Sequence, residues 1–132
     1  MSFLTPYDKQ DLPAGGVSRF IEEVNGLRMH ILEAGNHGST RPIVLLLHGF
    51  PELAYSWRKV MPALAAAGYY VIAPDQRGYG RTTGWSSDYN TDIFSFRMIN
   101  LVRDILCLLD TLDQPYVEAL IGHDFGAHVA AY

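Results

Sequence analysis

Cysteine is nearly absent from this 132-residue chain: Cys107 stands alone. A lone thiol closes no internal disulfide, so the fold has to rest on an apolar core. Cys107 lies within an apolar periodic run and is expected to fill space there. Charge is also sparse, with 18% charged residues and a net charge of −4, which leaves no basic footprint for nucleic acid. No apolar run reaches the length of a membrane span, and no Lys or Arg cluster precedes an apolar stretch in residues 1–10. The expectation from these absences is a cytoplasmic protein in reducing surroundings, with no membrane segment and no nucleic-acid partner.

What is present is apolar material, 48% of the residues, enough for one modest domain with a real core. Residues 1–18, with Pro6, Pro13, Gly15 and Gly16, read as an irregular leader to a domain over 19–132. Asn25-Gly26 between two short alternating runs predicts a β-hairpin. Pro42 to Leu47 and Tyr69 to Ala73 read as strands buried on both faces. Between them Trp57, Val60, Met61 and Leu64 recur at helical spacing, and Pro62 divides them into two short pieces. Phe94 through Leu112 predicts one long amphipathic helix, Val117 to Ile121 another strand, and Phe125 a further helix start. Strand and helix alternating with apolar strands indicate an α/β fold: a mostly parallel sheet with helices on its faces.

The segment Ala119 to Ala127 is the richest in information. An apolar strand enters Gly122-His123-Asp124-Phe125-Gly126, and a helix follows. Glycines two residues before and after Asp124 permit a sharp strand-to-helix bend that lifts the middle side chain to its tip, the geometry of a nucleophile elbow. A carboxylate there implies a covalent ester formed by the aspartate itself; the plainer alternative is an Asp that caps the helix. His48-Gly49-Phe50-Pro51 follows a central strand, and its glycine admits close backbone approach. The amides of Phe50 and Phe125 are candidates for two donors facing a developing oxyanion.

Asp75-Gln76-Arg77-Gly78-Tyr79-Gly80 reads best as a loop held by hydrogen bonds and an ion pair. As a dinucleotide fingerprint it fails, because Thr83 occupies the place of the third glycine. The histidines are His30, His37, His48, His123 and His128; His123 and His128 lie off one helical face, and nothing completes a metal site. Neither metal nor cofactor is expected. His123, beside Asp124, reads as a supporting residue rather than a base.

HGFPE at 48–52, DQRGYG at 75–80 and GHDFGA at 122–127, in that order and spacing, resemble the α/β-hydrolases of the epoxide-hydrolase group. The similarity runs from about residue 19 onward. It implies the N-terminal portion of the α/β-hydrolase fold: an antiparallel hairpin leading into a mostly parallel sheet with flanking helices, incomplete without later strands. In that family the aspartate of GHDxG is the nucleophile, here Asp124, and the oxyanion amides map to Phe50 and Phe125. His48, Gly49, Pro51, Gly122, His123 and Gly126 fall in the surrounding motif and pocket, with Pro51 expected cis.

Related dehalogenases carry Trp after the nucleophile and Asn after His-Gly, or arginines around the nucleophile. Here those places hold Phe125, Phe50 and His128, so epoxide opening fits best. The implied reaction converts a small hydrophobic epoxide and water to a diol through an Asp124 ester. Cap tyrosines, the acid and the water-activating histidine come after the elbow helix in that family, so the chain is expected to be a truncated portion that forms the ester without turning it over. Its implied partners are the remainder of the hydrolase fold or another copy of the chain. A haloalkane or haloacid dehalogenase, and a catalytically silent fragment acting by association, stay as alternatives.

Overall fold

Asn25 and Gly26 take φ of 50° and 80°, the pair of positive values that a tight hairpin turn demands. They join β1 (Val17–Val24) to β2 (Leu27–Ala34) in an antiparallel ladder with Phe20 opposite His30. The register shifts between Ile21 and Val24, where Glu23 also has a positive φ, so the strand bulges before the turn. The structure is a computed structural model that describes residues 4–36, 40–88, 90 and 93–132. His37 lies outside the described residues.

The remaining elements alternate. β3 (Ile43–Leu47) and β4 (Tyr70–Pro74) are buried along their whole length and flank α1 (Met61–Ala66), which has a proline in its first turn. A 3-10 turn at Ala54–Trp57 supplies the first of the two short helical pieces. α2 (Met98–Thr111), β5 (Ala119–Gly122) and α3 (Phe125–Ala131) follow. The five strands lie in the order β1-β2-β4-β3-β5. β2 meets β4 antiparallel, while β3 runs parallel to both β4 and β5, so the sheet is mixed and its parallel part centres on β3.

Alternation along β3 sorts the core into two layers. Ile43, Leu45 and Leu47 pack with Leu101, Ile105 and Leu108 of α2 and Val129 of α3. Val44 and Leu46 face the other side, against Met61 of α1 and Ala54. Helices thus cover both faces of the sheet. Among the described residues no helix is long and apolar enough to cross a membrane.

One expectation needs correcting. The long helix does not begin at Phe94: Arg97 is extended at φ −63°, ψ 147°, and separates a 3-10 turn (Ile93–Phe96) from α2. Phe94 is exposed, so its apolar character mimicked a helical period without joining the core. The segment before β1 packs against the rest of the fold. Tyr7 stacks on Tyr55 with ring centroids 5.1 Å apart, the Arg81 guanidinium lies over Tyr7, and the Tyr7 amide donates to Ser18.

Candidate active site

Because β3, β4 and β5 are parallel, the loops after all three emerge at one end of the sheet, where open α/β sheets form their crevices. Three stretches meet there: His48 to Glu52 after β3, Asp75 to Gly80 after β4, and His123-Asp124 after β5.

The bend after β5 depends on close approach. A Cβ on Gly122 would sit 2.4 Å from the Gly126 carbonyl oxygen, and one on Gly126 would sit 2.3 Å from that of Leu47. Only hydrogen at both positions lets α3 fold back against β5 and β3. Asp124 is left at φ 53°, ψ −120°, a sparsely populated conformation for a residue with a side chain. By position it is the helix N-cap, yet its carboxylate makes no capping hydrogen bond. Oδ2 instead accepts from the Phe50 N–H at 3.0 Å. The Phe50 and Phe125 amides hold the Asp124 carboxyl below its usual range, against a small upward pull from burial and with help from the charges of His123 and His128.

Gly49 provides the approach from the other side. A Cβ there would lie 2.5 Å from Cβ of Asp124. The Phe50–Pro51 peptide is cis, and the Glu52 N–H donates to the Gly49 carbonyl at 2.9 Å. That turn carries the Glu52 carboxylate back to the bend, where it meets Nδ1 of His123 at 3.0 Å. Glu52 had no assigned role in the sequence reading. Its only signal was its place as the last letter of HGFPE.

His48 is buried, and Nε2 lies 3.0 Å from the backbone N–H of Gln76. An amide can only donate, so Nε2 is the acceptor and the ring proton sits on Nδ1, which reaches the Gly49 carbonyl at 3.0 Å. Burial pushes the imidazole pKa down, so the ring stays neutral. Tyr79 meets it edge-on with centroids 4.9 Å apart.

Asp75 is a hub. Oδ1 accepts from the Ala54 N–H at 2.9 Å, and Oδ2 from the Arg81 N–H at 3.0 Å and His30 Nδ1 at 2.7 Å. Burial pulls its carboxyl upward, but these donors outweigh that pull and hold it below the ordinary value. Arg77 makes the ion pair, with both guanidinium contacts to Asp104 of α2 at 2.9 Å. Asn25 of the hairpin turn donates to the same carboxylate at 2.8 Å. Loop cohesion is therefore the work of this motif.

The structure thus gathers Asp124, Phe50, Phe125, His48, Gly49, Pro51, Gly122, His123 and Gly126 at one end of the sheet. His30 lies apart, sealed between Asp75 and Ser18, and His128 is exposed on α3. Among the described residues no cluster of three or more metal-ligating side chains occurs. Chemically, the arrangement offers an exposed, ionised carboxylate with one oxygen engaged by the Phe50 amide and a neighbouring imidazole–carboxylate pair.

Residues 42–132 match the family described as the alpha/beta hydrolase fold. Among curated proteins, the chain is similar to epoxide hydrolase A of Mycobacterium tuberculosis, 44% identical over 115 residues that cover 87% of this chain and 33% of that protein. It also resembles epoxide hydrolase 3 of Siraitia grosvenorii, 46% identical over 108 residues, covering 82% and 31% respectively. The crystal structure of an epoxide hydrolase from Vigna radiata superposes with a TM-score of 0.75 at 44% identity, covering 87% of this chain and 34% of that one. The chain spans about a third of the length of the relatives it matches.

Proposed function

The chain belongs to the alpha/beta hydrolase family, and from that membership we propose that Asp124 is the nucleophile of an epoxide-opening hydrolase. The observation that carries this reading is the Phe50 amide 3.0 Å from Asp124 Oδ2, at a bend that leaves the carboxylate exposed at its tip.

With Oδ2 engaged, Oδ1 attacks the less hindered epoxide carbon. The ring C–O bond breaks, its electron pair goes to the ring oxygen, and an acid protonates that oxygen. Water, losing a proton to a base, then adds to the Asp124 carboxyl carbon. Charge builds on Oδ2, where the Phe50 amide already points, with the Phe125 amide as the second donor of the proposal. The alcohol departs as a diol and the carboxylate is restored. The resemblance assigns that acid and that base to residues after the elbow helix, so within this chain the derived steps are attack and oxyanion stabilisation. One oxyanion donor of this type is worth on the order of 100- to 1000-fold in rate. The Phe50 and Phe125 side chains carry no N–H for a halide, which favours an epoxide over a haloalkane.

A second reading is favoured by β5. Among the described residues no strand lies beyond it, and Leu120 and Ile121 are 44% and 40% exposed. An apolar edge with free backbone groups invites a further strand. The remainder of a hydrolase fold or another copy of the chain would satisfy it.

One set of samples tests both. The chain is incubated with a small aryl epoxide and its intact mass followed, alone and with the rest of the fold supplied. The expected outcome is an adduct of the epoxide's mass on Asp124, persisting to pH values below the usual carboxylate range, with diol released only in the completed sample. Equal diol formation by Asp124→Asn overturns the nucleophile assignment. Sedimentation of the same samples reads association: a mass that rises with concentration without any adduct supports the second reading.

A further inference from the structure

The peptide group between Gly49 and Phe50 is gripped on both sides. Its N–H faces Asp124, and its carbonyl oxygen accepts twice, from His48 Nδ1 at 3.0 Å and from the Glu52 N–H at 2.9 Å. Cis geometry is confined to the next bond, Phe50–Pro51, so this peptide is trans and its N–H and C=O point in opposite directions. Fixing the oxygen therefore fixes the direction of the N–H. Hydrogen bonds to a carbonyl also polarise its own peptide and strengthen the N–H as a donor.

His48 can play this part in only one tautomer, and the first residues after β4 select it. The Gln76 N–H occupies Nε2, which keeps the proton on Nδ1. The Gln76 side chain then holds the His48 carbonyl at 2.7 Å. At the far end of the same loop, Asp75 holds the Ala54 N–H at 2.9 Å. Two consecutive residues thus clamp the loop at its entry and its exit.

We propose that His48, fixed as its Nδ1–H tautomer by Gln76, is a positioning residue that orients and polarises the Gly49–Phe50 peptide and so sets the donor that faces Asp124. The relay runs from the Gln76 N–H through the imidazole and the peptide to the carboxylate. It rests on the reading of Asp124 as the nucleophile for its purpose, but not for its geometry.

The experiment uses the isotopically labelled chain and no substrate. Long-range nitrogen–proton correlation on the wild type should show His48 protonated at Nδ1 and bare at Nε2; the opposite tautomer overturns the proposal without any substitution. Three variants then separate the halves of the relay. His48→Asn keeps a donor near the Nδ1 position, His48→Gln places its amide near Nε2 instead, and His48→Phe removes both. The Phe50 amide proton should move upfield, and the Asp124 carboxyl titration should move back toward its ordinary range, in the Gln and Phe variants, with Asn restoring much of both. A folded His48→Phe variant whose Phe50 amide and Asp124 titration match the wild type overturns it, as does an Asn variant no better than Phe. Failure here leaves the epoxide reading standing, and absence of an Asp124 adduct leaves the relay standing.

Discussion

At Gly49 one carbon atom separates an Asp124 carboxylate held by the Phe50 amide from a displaced one. A Cβ there would lie 2.5 Å from Asp124 Cβ and 2.9 Å from the His123 carbonyl oxygen, so neither side can yield without moving backbone. Gly49→Ala is expected to separate the two loops and break the hydrogen bond from the Phe50 amide to Asp124. The overpacking cost is about 1–3 kcal/mol. Urea denaturation measures the stability loss and the Phe50 amide shift reports the lost contact; an unchanged shift would show that the loop relaxes around the methyl group. The sequence marks this position as a glycine that lets backbone approach a ligand closely; the neighbours it approaches in the structure are Asp124 and His123. Gln76 and Glu52 escaped notice for a related reason. Their partners, His48 and His123, come from other loops, and no local spacing announces a contact made across three strand ends.

Among the elements, α2 shows how periodicity both informs and misleads. Leu101, Ile105 and Leu108 were placed by helical spacing and do pack on the sheet. Asp104 lies among them, equally buried, because Arg77 and Asn25 reach it from the loop after β4 and from the hairpin turn. A pattern that scores charge as outward cannot find such a residue. The ion pair within the loop motif was expected, but its partner sits on a helix formed later in the chain. Asp104→Ala leaves a buried guanidinium without its counter-charge and is expected to cost about 3–5 kcal/mol. Replacing both partners, Arg77→Met with Asp104→Leu, should return much of that. Paired urea titrations check the difference; equal stability of the single and double variants would sink the idea that the unpaired charge is the cause. The extended Arg97 that divides the expected helix has no counterpart in the apolar pattern, which runs on across it.

On the scale of the whole molecule, the hairpin, the two helical pieces around Pro62 and the buried β3 and β4 were all readable. Each is written in neighbouring residues: a turn pair, a proline, an unbroken apolar run. Strand order was not, because β2 joins β4 rather than β3 through contacts no local pattern encodes. Among the described residues, that order places β5 at one rim, paired with β3 alone and half exposed, while β3 and β4 are sealed between helices. Strands with one neighbour and little cover open first. Amide hydrogen exchange over residues 119–122 should therefore outpace that of 43–47 and 70–74. Comparable protection in all three would show that the rim is held as firmly as the centre. Where the rim does yield first, heat loosens the bend that carries Asp124 while the interior still stands, and durability of that local geometry and durability of the fold become two separate properties.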